Sequence, residues 1–333
     1  MPNGPLMIIG GAEDKVRKPT ILKHFVALSG GRDARIAVIP TASSLGREVV
    51  DVYDALFTKF GAASVEAVRP ETRDQAHDPA LVKALDEATG IFMTGGNQLK
   101  LSSIVCGTPV GDAILRAHER GAVVAGTSAG ASIQSSHMVA FGVGGATPKQ
   151  RMTQVAGGLG LMDGAVIDQH FDQRNRYGRL LMIVAQSPQL LGIGVDEDTC
   201  GLVEDVAGDA VMRVIGKGAV TVLDGARMVS NAHEAKRSAP LLASGVVFHV
   251  LPEGSVFNLS TRTLVPQEPG VDLEDAHELA EASRDLRQLV RDIAAADATP
   301  AAIRRRLKLR RTPSPPADPT RDQSPTQPQG DIS

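Results

Sequence analysis

Through its first 205 residues the chain alternates short apolar, β-branched runs ending in glycine or polar turns with segments of helical period, and this alternation confines it to βαβ architecture. Parallel strands need crossovers that cover the sheet. The pattern therefore predicts an α/β fold with a mostly parallel sheet and helices on both faces. Strands are expected at 6–10, 35–40, 64–68, 90–93, 122–126, 165–168 and 191–195, with helices near 19–28, 47–60, 79–88, 112–120 and 175–186. Beyond Gly201 the spacing changes. Runs at 210–215, 219–223, 246–251 and 255–259, joined by glycine-containing turns, predict added antiparallel strands that extend or flank the main sheet.

Composition narrows the class of protein. Of 333 residues 42% are hydrophobic and 22% charged, the balance of a soluble globular chain, while 3% aromatics and no Trp demand an aliphatic core. A net charge of -3 gives no global reason to expect a nucleic-acid partner. Cys106 and Cys200 lack metal-ligand spacing and read as reduced thiols of a cytoplasmic protein. Residues 1–11 have neither a basic start nor a long apolar stretch, and no membrane span is expected. Three regions are expected. An α/β domain occupies 1–265, and a helical extension over 266–311 contains an amphipathic segment at 272–295 and six basic residues among the eight from Arg304 to Arg311. The stretch 312–333 is a proline-rich disordered tail.

The sharpest chemical signal is Gly126-Thr127-Ser128-Ala129-Gly130, placed between an apolar strand and a helix-compatible stretch. G-x-S-x-G in that setting forms a tight turn that lifts the serine hydroxyl above the sheet, with amide N–H groups of the helix start aimed at developing charge. An ordinary glycine-rich turn with serine as a cap is the plainer alternative. A serine nucleophile needs a base. Of eight histidines, His170 ends a buried strand where α/β sheets bind ligands, whereas His137 falls at the far end of the helix expected after Ser128 and His249 lies in an apolar strand. The orienting carboxylate is expected among Asp196, Glu197 and Asp198, which end the next strand; alternation sends Glu197 to one side and the two aspartates to the other. Thr94-Gly95-Gly96-Asn97-Gln98 follows a strand, so the Gly96 N–H together with that of Ala129 can form an oxyanion hole. Arg174, Arg176 and Arg179 crowd behind His170, where guanidinium groups can pair with a substrate carboxylate. Neither a P-loop nor zinc-ligand spacing occurs, so no cofactor and no metal are expected.

Taken in order, IIGGAEDK at 8–15, TGGNQ at 94–98, GTSAGA at 126–131, DQHF at 168–171 and GVDED at 194–198 closely resemble the cyanophycinase family of serine peptidases, which also contains α-aspartyl dipeptidases. The resemblance spans roughly residues 6 to 260. It implies a fold related to class I glutamine amidotransferases, a homodimer, and hydrolysis of cyanophycin, a poly-aspartate carrying arginines on its β-carboxyls, to β-Asp-Arg dipeptides. On this resemblance Ser128 is the nucleophile, His170 the base and Glu197 the orienting acid. Gly96 and Ala129 supply the oxyanion amides, and Gln98, Asp168, Gln169, Arg174, Arg176 and Arg179 take the substrate-pocket positions. Asn97 stands where many members carry Asp. An α-aspartyl dipeptidase is the nearest alternative activity, and a silent binding protein on the same scaffold is the non-enzymatic one.

Overall fold

A computed structural model describes residues 3–266; the helical extension and proline-rich tail expected beyond them lie outside the described residues. Five of the apolar runs form the parallel part of a nine-stranded sheet, in the spatial order Leu6–Ile9, Val123–Thr127, Gly90–Met93, Arg35–Ile39 and Ser64–Ala67. Past Leu6–Ile9 the direction reverses, and Thr199–Val206, Asp209–Gly216, Val256–Asn258 and Thr263–Leu264 continue the sheet as antiparallel strands.

Strand alternation sorts the apolar side chains into two cores, one on each face. Met7, Ile9, Ile36, Val38, Phe92 and Val123 pack with Leu22 and Phe25 of helix Thr20–Leu28 and with Tyr53 and Phe57 of helix Arg47–Lys59. Leu6, Ile8, Ala37, Ile39, Ile91 and Val124 face the opposite way, against helices Pro79–Glu87, Gln98–Val105 and Pro109–Glu119. Phe92 is the hub of the first core, with ring centroids 4.6 Å from Tyr53, 5.3 Å from Phe57 and 5.4 Å from Phe25. It is fully buried. Phe92→Ala should therefore lower stability by about 3–5 kcal/mol in urea denaturation, because rings held between a sheet and two helices cannot collapse into the space. A loss below about 1 kcal/mol would show that this core repacks freely.

Two strands do not join the main sheet as the βαβ pattern predicts. Ala165–Gln169 and Leu191–Val195 pair in parallel with each other but belong to a separate four-stranded sheet, completed by the antiparallel strands Ala219–Asp224 and Val247–Pro252. The position beside Leu6–Ile9 is already filled by Thr199–Val206, in a register running from Leu6 opposite Val203 to Ile9 opposite Cys200. Helix Tyr177–Gln186 covers the second sheet, burying Leu180 and Val184 with Val166 and Leu223. The helix after Ser128 is also shorter than expected. It spans Ala129–Ser132, and His137 instead opens a strand, His137–Gly142, paired with Thr153–Gly157. The Ser135 hydroxyl, 3.0 Å from the Ser132 carbonyl and 2.9 Å from that of His137, offers the backbone a local alternative to further helix.

Candidate active site

Strand Val123–Thr127 runs directly into Ser128, whose φ of 53° and ψ of -106° are costly for a residue with a side chain. The turn closes because Gly126 and Gly130 meet across it: a Cβ on Gly126 would overlap the Gly130 carbonyl. Its geometry is then anchored from a neighbouring strand. The carbonyls of Ile9, Gly10 and Gly11 accept the N–H groups of Ser128 (2.9 Å), His170 (2.8 Å) and Asp198 (2.9 Å) in turn. Three segments distant in sequence are thus tied to one end of Leu6–Ile9. Gly11 has φ 103°, and a Cβ there would overlap the His170 ring. This clamping role of 9–11 was missed by residue-level reasoning, although the paired glycines beside a strand end were its visible trace.

His170 Nε2 lies 3.0 Å from Ser128 Oγ and Nδ1 lies 2.6 Å from Glu197 Oε1. Burial holds the imidazole pKa below its usual 6.5, opposed by the hydrogen bond that the ring donates to Glu197 and assisted by the Arg174 charge. The ring is therefore neutral, and able to accept a proton, at pH 7 and somewhat below. Activity that depends on it should persist through pH 6.5 and fall as pH drops through the depressed value. Removing a neighbouring positive charge with Arg174→Ala should move the acid limb of the kcat/KM profile to higher pH. A limb that stays put or moves down would contradict this account of the ring's electrostatics.

Of the three carboxylates in the acidic loop, Glu197 is the one that meets His170. Asp196 accepts the N–H groups of Asp172 and Ala219, each at 3.0 Å. Asp198 accepts the Asp14 N–H at 2.8 Å and pairs with Lys217 at 2.5 Å. Both aspartates brace the loop that presents Glu197. Gln173, which sequence reasoning passed over, accepts the Glu197 N–H at 2.9 Å. Nothing in the polar run around it distinguished this side chain. The thiols are not poised as rival nucleophiles: burial pushes Cys106 up to about 11 and raises fully buried Cys200 as well. Among the described residues no group of His, Cys, Asp and Glu is arranged to hold a metal ion, and no helix is long and apolar enough to cross a membrane.

A cleft of about 580 Å³ opens at Ser128 and His170, lined by Lys15, Glu48, Gly96 and Arg174, among others. Ala129 opens the short helix behind Ser128 and is buried. Asn97 caps helix Gln98–Val105 by accepting the Leu99 and Lys100 N–H groups, a task that needs a side-chain oxygen and suits Asn and Asp alike. The arginines expected at the substrate divide. Arg174 is exposed and lines the cleft. Arg176 and Arg179 are buried on the Asp168 carboxylate, with Arg176 3.0 Å and Arg179 Nε 2.6 Å from it. Arg176 also donates to the Gln169 carbonyl and side chain, and burial lowers its pKa to about 10. Gln98 donates to the carbonyls of Val139 (3.0 Å) and Ala140 (2.8 Å), which joins the 94–98 loop to strand His137–Gly142. Five of the expected pocket positions are therefore engaged with each other or with backbone, and Arg174 faces the cleft.

Residues 6–209 match the model of Peptidase family S51. The chain belongs to Peptidase family S51. Its S51 relatives include the cyanophycinase of Nostoc sp., 39% identical over 264 residues that make up 78% of this chain and 87% of that protein. The cyanophycinase of Geminocystis herdmanii is 38% identical over 258 residues, 77% of this chain and 94% of its own. The crystal structure of a peptidase from an acI-B1 Actinobacterium covers 74% of this chain and 98% of its own with a TM-score of 0.55 at 21% identity, and shares the mixed α/β fold. The S51 match takes in the Ser128 turn, His170 and the acidic loop, while the antiparallel strands after Asp209 lie beyond it.

Proposed function

We propose that this S51 peptidase is a serine-type exopeptidase that hydrolyses cyanophycin, multi-L-arginyl-poly-L-aspartate, to β-Asp-Arg dipeptides. One observation carries the proposal: Glu197, His170 and Ser128 stand in hydrogen-bonded line in a chain 39% identical to a cyanophycinase. In the proposed reaction Ser128 Oγ attacks the scissile carbonyl while His170 Nε2 takes its proton, and Glu197 holds Nδ1–H and stabilises the imidazolium. The N–H groups of Gly96 and Ala129 receive the charge on the carbonyl oxygen. The C–N bond then breaks, the Nε2 proton passes to the leaving amine, and an acyl-enzyme remains on Ser128. Water, giving a proton to His170, attacks the ester; the C–Oγ bond breaks, His170 returns that proton to Ser128 Oγ, and the acyl group leaves as a carboxylic acid.

The substrate carries one free carboxylate and one guanidinium in each repeat, both on the arginine. The cleft presents both signs of charge, with Lys15 and Arg174 against Glu48. Arg174 is assigned to a substrate carboxylate, and Gln98, Asp168, Gln169, Arg176 and Arg179 to the wall that shapes the pocket behind His170. We further assign the chain to the class I glutamine amidotransferase-like folds, with residues 1–265 as its catalytic domain. Two free thiols favour a cytoplasmic setting. A homodimer is supported by the edge strand Val247–Pro252, where Val247, Phe248 and Val250 are exposed. A suspension of insoluble cyanophycin should clear on addition of the enzyme, and a suspension that stays turbid at high enzyme concentration would refute the proposed activity.

A further inference from the structure

The proposed mechanism leaves unused a buried carboxylate beside the nucleophile turn. The Glu13 side chain is 1% exposed, yet it accepts from three donors on three segments: Thr127 Oγ1 at 2.6 Å, Tyr53 Oη at 2.5 Å and Lys15 Nζ at 2.7 Å. A carboxylate so removed from water persists where charge-assisted hydrogen bonds satisfy it. Tyr53 responds in kind, its pKa raised well above 10 by burial and by the adjacent anion. The consequence for Lys15 is positional. Its side chain is 33% exposed, it lies over the Tyr53 ring at 5.3 Å, and Nζ approaches the Glu13 carbonyl at 3.4 Å as well as the carboxylate. An ammonium has three N–H donors. With two directed at Glu13, the third is left for the cleft that Lys15 shares with Ser128 and His170.

We propose that Lys15 is a specificity-determining residue that binds a carboxylate of the substrate, held in place by Glu13 and Tyr53. A free lysine is a flexible point charge that must be ordered each time it binds a ligand; here that cost is met in folding. Glu13 also joins the subsite to the nucleophile, because its second oxygen holds Thr127, the residue before Ser128. Substrate bound at Lys15 is thereby registered against the hydroxyl. The inference rests on the proposed hydrolysis of an aspartate–arginine polymer, whose repeats carry free carboxylates.

The test compares short β-Asp-Arg oligomers with all carboxylates free against the same oligomers with every carboxylate amidated. Wild-type enzyme should prefer the free form, and Lys15→Met should lose about 10- to 100-fold in kcat/KM on it, largely through KM, and with that loss the preference. Lys15→Arg should restore most of the preference. Lys15→Met strands a buried carboxylate, so the double variant Lys15→Met/Glu13→Gln, which removes both charges, should show the same lost preference if the single variant misfolds. Equal losses on free and amidated oligomers would overturn the inference and leave Lys15 as a counterion to Glu13. If wild-type enzyme cleaves neither oligomer, the proposed activity fails separately, and calorimetric titration with N-acetyl-arginine and its amide decides: tighter carboxylate binding that vanishes in Lys15→Met supports the subsite, and equal binding overturns it.

Discussion

Ser128→Ala should reduce release of dipeptide from cyanophycin by about 10⁴- to 10⁶-fold, leaving what the oxyanion donors and binding alone can do. Neither thiol is suited to take over from the lost hydroxyl, since burial pushes the Cys106 pKa up to about 11 and raises that of Cys200 as well. The fold should be indifferent. What holds the turn is backbone, with the Ser128 N–H on the Ile9 carbonyl and the Ser128 carbonyl accepting from Ala131 and Ser132, and alanine keeps all of it. The check is initial rate of product release beside a thermal melt. A variant with an unchanged melt and more than about 1% of wild-type turnover would remove the serine mechanism.

Glu197→Gln should cost roughly 10³- to 10⁴-fold in kcat, the scale expected when the orienting carboxylate of a triad becomes an amide. The carboxylate accepts Nδ1–H and so leaves Nε2 free to take the Ser128 proton. An amide can donate to Nδ1 instead and favour the wrong tautomer. Glu197 also raises the His170 pKa against the effect of burial, so the residual activity of the amide variant should have its acid limb at lower pH. Asp196→Asn and Asp198→Asn serve as controls. Those side chains brace the loop through Asp172, Ala219, Asp14 and Lys217, and their loss should appear first in the thermal midpoint. A collapse of activity confined to either aspartate, with Glu197→Gln active, would reverse the assignment.

The parts of this structure legible from residues are those set by local pattern. Four apolar runs formed the parallel centre because strands buried on both faces must be apolar almost throughout, Ser64–Ala67 joined them as a largely exposed edge strand, and the G-x-S-x-G turn followed from the close packing of Gly126 on Gly130. Partner choice was not legible. Thr199–Val206 carries Gly201 in its middle and Glu204 and Asp205 near its end, so it lacks a strand signal, yet it takes the place beside Leu6–Ile9 and leaves 165–169 and 191–195 to a second sheet. Gln98–Val105 was missed for a similar reason, being eight residues with two serines and little periodicity. In the site, strand-end placement pointed to His170 and narrowed the acid to three neighbours, and it was the family resemblance that singled out Glu197. Three arginines following His170 looked alike in sequence. Which of them is buried on Asp168 and which reaches the cleft depends on helix Tyr177–Gln186 docking over the second sheet, a tertiary fact with no local signature.

The central claim is tested most directly by mass spectrometry of the products formed from purified cyanophycin. The account predicts a soluble product of the mass of one aspartate joined to one arginine, accumulating from the earliest time points without longer intermediates, as an enzyme working from chain ends must give. Free arginine would mean that the side-chain isopeptide bond is attacked instead of the backbone. A ladder of longer fragments would mean internal cleavage. Either result would contradict an exopeptidase built on Ser128, His170 and Glu197.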